Sequence, residues 1–86
     1  MALFKLEWKP SAQKDFKKID RQHIFSILRK VETLPKNPYP PDSKKLKNTE
    51  GSYRVRIGDY RVIYQIDHRD KVIVIHAVSH RKDAYR

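Results

Sequence analysis

The chemistry available to this 86-residue chain rests on arginine, histidine and tyrosine, since it has no cysteine at all. Arg54 and Arg56 stand two apart, Arg61 follows five residues on, and the ending SHRKDAYR adds His80, Arg81, Lys82, Asp83, Tyr85 and Arg86. Such a set suits metal-free scission of RNA. That reaction needs a base for the 2′-hydroxyl, cations for the charge developing on the phosphorane and an acid for the departing 5′-oxygen. Tyrosine is a poor base at its usual pKa of about 10, but neighbouring arginines favour the phenolate and lower that value. Taken alone, a terminal His, Arg and Tyr is more often a solvated chain end than a catalytic set.

The element that must position the arginines is the stretch Gly51 to Asp67, GSYRVRIGDYRVIYQID, which reads as a β-hairpin with two unlike faces. In its first arm Tyr53, Val55 and Ile57 alternate with Arg54 and Arg56, the period of a half-buried strand. Gly58-Asp59 suits a two-residue type II′ turn, because glycine accepts the positive φ required at the first central position. Counting back from that turn sets Ile57 opposite Tyr60, Arg56 opposite Arg61, Val55 opposite Val62, Arg54 opposite Ile63 and Tyr53 opposite Tyr64. Three arginines then share one face. Like charges opposite each other weaken a hairpin, so an anion is their natural partner. The alternative reading is a solvated face that guards a sheet edge against pairing with another chain.

The remaining elements follow from periodicity. Residues 2 to 8 alternate, with Ala2, Phe4, Leu6 and Trp8 on one side, and predict a first strand ended by Pro10. From Ser11, a plausible N-cap, the period turns helical: Ala12, Phe16 and Ile19 face inward while Lys14, Lys17 and Lys18 face out. Asp20 reads as the cap of a second helix, with Ile24, Ile27, Leu28, Val31 and Leu34 on its apolar stripe. Pro35, Pro38, Pro40 and Pro41 stop it and open a long loop reaching Gly51, to which Leu46 gives an apolar anchor. Its lysines, Lys45 and Lys47 among them, read first as a solvated basic loop and second as extra contacts to a phosphate backbone. A polar turn over Asp67 to Asp70 leads into a last strand, Val72 to Val78, apolar on both faces as a central strand must be. With a four-residue turn, Arg61 would lie opposite His76. The predicted fold class is α+β: a small antiparallel sheet, order β-α-α-β-β-β, packed on an N-terminal α-hairpin, with the arginine face open to solvent.

Composition bounds the partners. Twenty Lys and Arg against ten Asp and Glu leave a formal charge of +10, a strong positive potential on so small a body. Nucleic acid is the leading partner class, ahead of an acidic protein or a membrane surface. Without cysteine there is neither a disulfide scaffold nor a cysteine-ligated metal site. The N-terminus MALFKLEWKP carries charge within its first eight residues, which predicts no signal peptide, no membrane anchor and a cytoplasmic location. With Gly51 and Gly58 the sole glycines, P-loop, GxGxxG and Gly-x-Ser-x-Gly chemistry is excluded. His76 and His80 have the spacing of a helical zinc pair, but on a strand that spacing does not bring side chains together, so no metal site and no cofactor is predicted.

Across nearly its whole length the chain resembles the RelE/ParE superfamily of type II toxin-antitoxin toxins, and within it the RelE-like mRNA interferases. The resemblance is carried by the N-terminal strand, SAQKDFKKID, KLKN, YRVRIGDYRVIYQID and VSHRKDAYR. It implies one RelE-like toxin domain over residues 1–86. It implies a metal-independent endoribonuclease that cuts mRNA in the ribosomal A site, leaves a 2′,3′-cyclic phosphate and is neutralised by a cognate antitoxin in a hetero-oligomer. It also implies that Arg54 and Arg56 bind the phosphate, that Arg61 stabilises the transition state and that Arg81 assists the leaving group. Tyr85 is then the general base, with His80 sharing or taking over that role. Best-known members carry lysines at the two hairpin positions, so a role needing a neutral lysine does not transfer to Arg54 and Arg56. The other readings are a ParE-like inhibitor of DNA gyrase and a non-catalytic nucleic-acid-binding module.

Overall fold

The computed structural model describes residues 3–47 and 51–80. Its elements are β1 (Lys5–Trp8), α1 (Pro10–Lys17), α2 (Arg21–Thr33), β2 (Ser43–Lys45), β3 (Ser52–Ile57), β4 (Tyr60–Asp67) and β5 (Val72–His80). The five strands form one sheet in the order β1-β5-β4-β3-β2. The α+β class and the helical hairpin are as the periodicity predicts, with two differences in the sheet.

The sheet is mixed rather than wholly antiparallel, because β1 runs parallel to β5, with Lys5 opposite Val72 and Trp8 opposite Ile75. Alternation reveals which face of a strand is buried, not the direction of its neighbour. The second difference is β2, in the stretch read as loop. Ser, Lys and Lys have little intrinsic preference for a strand. They adopt one because β3 offers an open edge, and Ser43, Lys44 and Lys45 pair with Val55, Arg54 and Tyr53. Leu46, half-buried, extends this contact by donating its backbone N–H to Ser52 O at 2.9 Å.

Pro10 opens α1 at its first turn, where a missing N–H costs nothing, so the cap position falls to Lys9 rather than Ser11. The Ser11 hydroxyl instead donates to the carbonyl of His76 at 2.8 Å, tying α1 to β5. Asp20 does occupy the cap position of α2, without a side-chain capping bond. A second tie between α1 and the sheet is the Val78 N–H, which donates to Asp15 Oδ2 at 3.1 Å.

The core lies between the helices and one face of the sheet. Ala12, Ile19, Ile27, Val31 and Leu34 from the helical side meet Val55, Val62, Tyr64, Ile66, Ile73, Ile75 and Val78. Each fully buried aliphatic side chain contributes about 1.5–3 kcal/mol relative to exposure. Tyr64 brings a hydroxyl into this layer and donates it to the carbonyl of Pro38 at 2.7 Å, fastening the proline-rich loop to the sheet. Burial pushes its pKa from 10.0 up to about 12.

Candidate nucleic-acid interface

With the core on one face, alternation leaves the opposite face for polar groups. The β3–β4 hairpin has the register counted from its turn, with Arg56 opposite Arg61, Arg54 opposite Ile63 and Tyr53 opposite Tyr64. Gly58 supplies the turn with φ +59°, while Asp59 keeps an ordinary negative φ, the combination a type II′ turn needs. Two rows cross the open face. One runs Lys44, Arg54, Ile63 and Ala77; the other runs Arg56, Arg61 and Ser79. Arg54 and Arg61 are half-buried and Arg56 is exposed. Among the described residues the one ion pair is Lys30 with Asp42, 2.9 Å apart and away from this face. No described carboxylate therefore neutralises Arg54 or Arg56.

Several expected members of the site fall elsewhere. Lys45 pairs with Tyr53, so it points to the helical side of the sheet, and Lys44 takes the place beside Arg54. Lys47 follows β2 and is exposed. His80 pairs with Tyr60, on the core side, and its ring meets that of Tyr60 edge-on with centroids 5.0 Å apart. It shares there a cleft of about 240 Å³ with Asp15, Lys18 and Ile19 of the α1 side. His80 thus faces away from the arginine rows, because residues one apart on a strand face opposite sides. Arg81 and Tyr85 lie outside the described residues.

His76 is not opposite Arg61; Ser79 is. The β4–β5 turn closes one residue later than predicted, with Asp67 opposite Val72 and Lys71 at φ +56°. The register then shifts between Ile63, opposite Ala77, and Tyr64, opposite Ile75. His76 is the extra residue of this bulge, and bulges re-aim side chains next to functional surfaces. Its Nε2 lies 3.1 Å from Gln65 Oε1 on the open face. Burial, and then the charge of Lys9, hold its pKa below the ordinary histidine value. Gln65 Oε1 can only accept, so in this contact His76 Nε2 carries the proton.

Comparison with known proteins agrees with this architecture. Residues 6–85 match the family described as ParE toxin of type II toxin-antitoxin system, parDE. A RelE1 protein of Methanocaldococcus jannaschii is 36% identical, with 96% of each chain covered. Toxin RelG of Mycobacterium tuberculosis is 27% identical, with 88% of each chain covered. Among solved structures, the archaeal RelE–RelB complex from Pyrococcus horikoshii OT3 superposes with a TM-score of 0.81 at 31% identity, covering 92% of this chain and 96% of that one. A matched length of this extent, on the same mixed sheet and helical hairpin, places the chain in the RelE/ParE superfamily of toxins from type II toxin-antitoxin systems.

Proposed function

We propose that the chain is a ribosome-dependent endoribonuclease that cuts mRNA in the ribosomal A site and is held inactive by a cognate antitoxin. The observation that carries this reading is the gathering of Arg54, Arg56 and Arg61 on one open sheet face, with Lys44 beside them. Cations placed there bind the non-bridging oxygens of a phosphodiester and strengthen as charge develops on them. The 2′-oxygen attacks phosphorus, the P–O5′ bond breaks, and the products are a 2′,3′-cyclic phosphate and a 5′-hydroxyl. Arg54 and Arg56 hold the phosphate and Arg61 stabilises the phosphorane. Tyr85 takes the 2′-proton, and Arg81 stabilises charge on the departing oxygen rather than protonating it, since a guanidinium is a very weak acid, so the 5′-oxygen takes its proton from water. His80 is not assigned the base, because it faces the helical side of the sheet. Solved relatives such as the Pyrococcus RelE–RelB complex support an antitoxin as partner.

The description of the matching family as ParE keeps a second reading, inhibition of DNA gyrase. Purified protein incubated with programmed ribosomes separates the two. Mapped message ends carrying a 2′,3′-cyclic phosphate, lost in Tyr85→Phe while ribosome binding persists, are the expected result. Intact message at every codon, together with inhibited gyrase supercoiling, overturns it.

A further inference from the structure

The open face does not end at the arginines. Along β4 the side chains of Arg61, Ile63, Gln65 and Asp67 succeed one another on that face. Four residues separate Arg61 from Gln65, about 13 Å along an extended strand. At that far end lies a cleft of about 330 Å³ lined by Gly51, Gln65, Asp67, His68 and Val74. That volume is at the small end of the range for ligand pockets. Its chemistry differs from that of the rest of the face: a half-buried valine, an amide and a carboxylate in place of cations.

Each wall is fixed by the backbone or by a neighbour. Gly51, at φ +69°, approaches Ile66 so closely that a Cβ would stand 3.1 Å from its carbonyl oxygen, which leaves this wall without a side chain. Gln65 is oriented by the bulged His76 at 3.1 Å. Asp67 Oδ1 accepts the backbone N–H groups of Arg69 and Asp70, both at 3.0 Å, so the carboxylate is locked by the turn while Oδ2 takes no part in it. A carboxylate repels phosphate and attracts N–H donors. An occupant continuous with a backbone held by the arginines is therefore a base rather than another phosphate.

We propose that this cleft is a nucleobase pocket, in which Asp67 Oδ2 accepts a hydrogen bond from an exocyclic amino group and Val74 packs on the ring of a base near the bound phosphate. The proposal rests on RNA being the ligand of the arginine face. Adenine, cytosine and guanine carry such an amino group; uracil has none, and its single ring N–H that can pair, N3–H, lies between two carbonyl oxygens that the carboxylate repels.

The test uses 2′-O-methylated RNA pentanucleotides, which cannot be cut, identical except for one base scanned through every position, with affinity read by fluorescence anisotropy. At one position A, C or G binds about ten-fold tighter than U, the effect of one charge-assisted hydrogen bond. Asp67→Asn keeps an oxygen for the turn and replaces the other with an NH₂ donor, so the preference at that position vanishes or turns toward U. Val74→Trp fills the cleft and erases the preference while leaving the salt dependence of binding unchanged. Equal binding of all bases at every position, or a preference that survives both substitutions, overturns the pocket alone. Failure to bind any of the pentanucleotides overturns the pocket, while mRNA cleavage on programmed ribosomes decides the RNA reading separately.

Discussion

Replacing Arg56 by glutamine separates a binding surface from a merely solvated one, because both gain stability when the charge is removed but only the binding surface loses RNA affinity. Arg56 is exposed and stands directly across from Arg61. Directly opposed residues have Cβ atoms about 4.5–5.5 Å apart, and like charges there cost roughly 0.2–1 kcal/mol. Two guanidinium centres about 7 Å apart in a solvent-like dielectric give roughly 0.6 kcal/mol, in agreement. Arg56→Gln therefore raises stability by about that amount, which for a domain of this size is a Tm increase of about 2–5 °C. Because the Debye length shrinks from about 10 Å at 0.1 M salt to about 3 Å at 1 M, the gain fades at high salt. In the same variant the slope of log affinity for single-stranded RNA against log salt falls by about 0.7, one phosphate contact. Thermal denaturation at two salt concentrations and an RNA salt titration measure all three quantities. A lowered Tm, a gain that persists at 1 M salt, or an unchanged slope refutes the reasoning.

Other consequences are simpler to read. Tyr64→Phe removes the donor to Pro38 O and costs about 1–2 kcal/mol in a urea titration. The folded phenol keeps its proton up to about 12 whereas an unfolded one releases it near 10.0, so wild-type stability is full below 10.0 and falls as pH rises toward 12. The phenylalanine variant loses that fall; an unaltered alkaline profile contradicts the assignment. Alanine at Gly51 and at Gly58 each meets the left-handed penalty of about 1–2 kcal/mol. Gly51→Ala costs more, because its Cβ also meets Ile66 O at 3.1 Å, whereas nothing lies within 4 Å at Gly58. Equal melting temperatures for the two would refute this.

What the sequence made legible was local. The Gly58-Asp59 turn set the hairpin register, and with it the shared face of Arg54, Arg56 and Arg61, because a two-residue connection admits one alignment. The β4–β5 connection has no such tight signal. Its turn uses Lys71 at positive φ, which is uncommon for lysine, and the bulge at His76 then displaces everything beyond it. The later turn and the bulge together bring Ser79 into the place expected for His76, and the bulge, by adding one residue, puts His80 on the core side. β2 was illegible for a different reason: its lysines form a strand because of the neighbour they pair with, so whether Lys44 or Lys45 joins the arginines depends on a register that composition does not carry. The cleft at Asp67 was equally hidden, since its walls come from Gly51 before β3, from β4 and β5 and from the turn between these two.

The position of β5 has a consequence for the timing of synthesis. It follows every other described strand in the chain, yet sits between β1 and β4 in the sheet. As the polypeptide leaves the ribosome, β3 and β4 can pair as soon as they emerge, while β1 waits unpartnered until residues 72–80 arrive. Joining the first strand to the last closes a loop spanning most of the molecule, a slow and entropically expensive step. Ser79, which completes the second arginine row, is delivered by that same step. A chain that stops short of β5 thus lacks both the joined first strand and a finished cationic face.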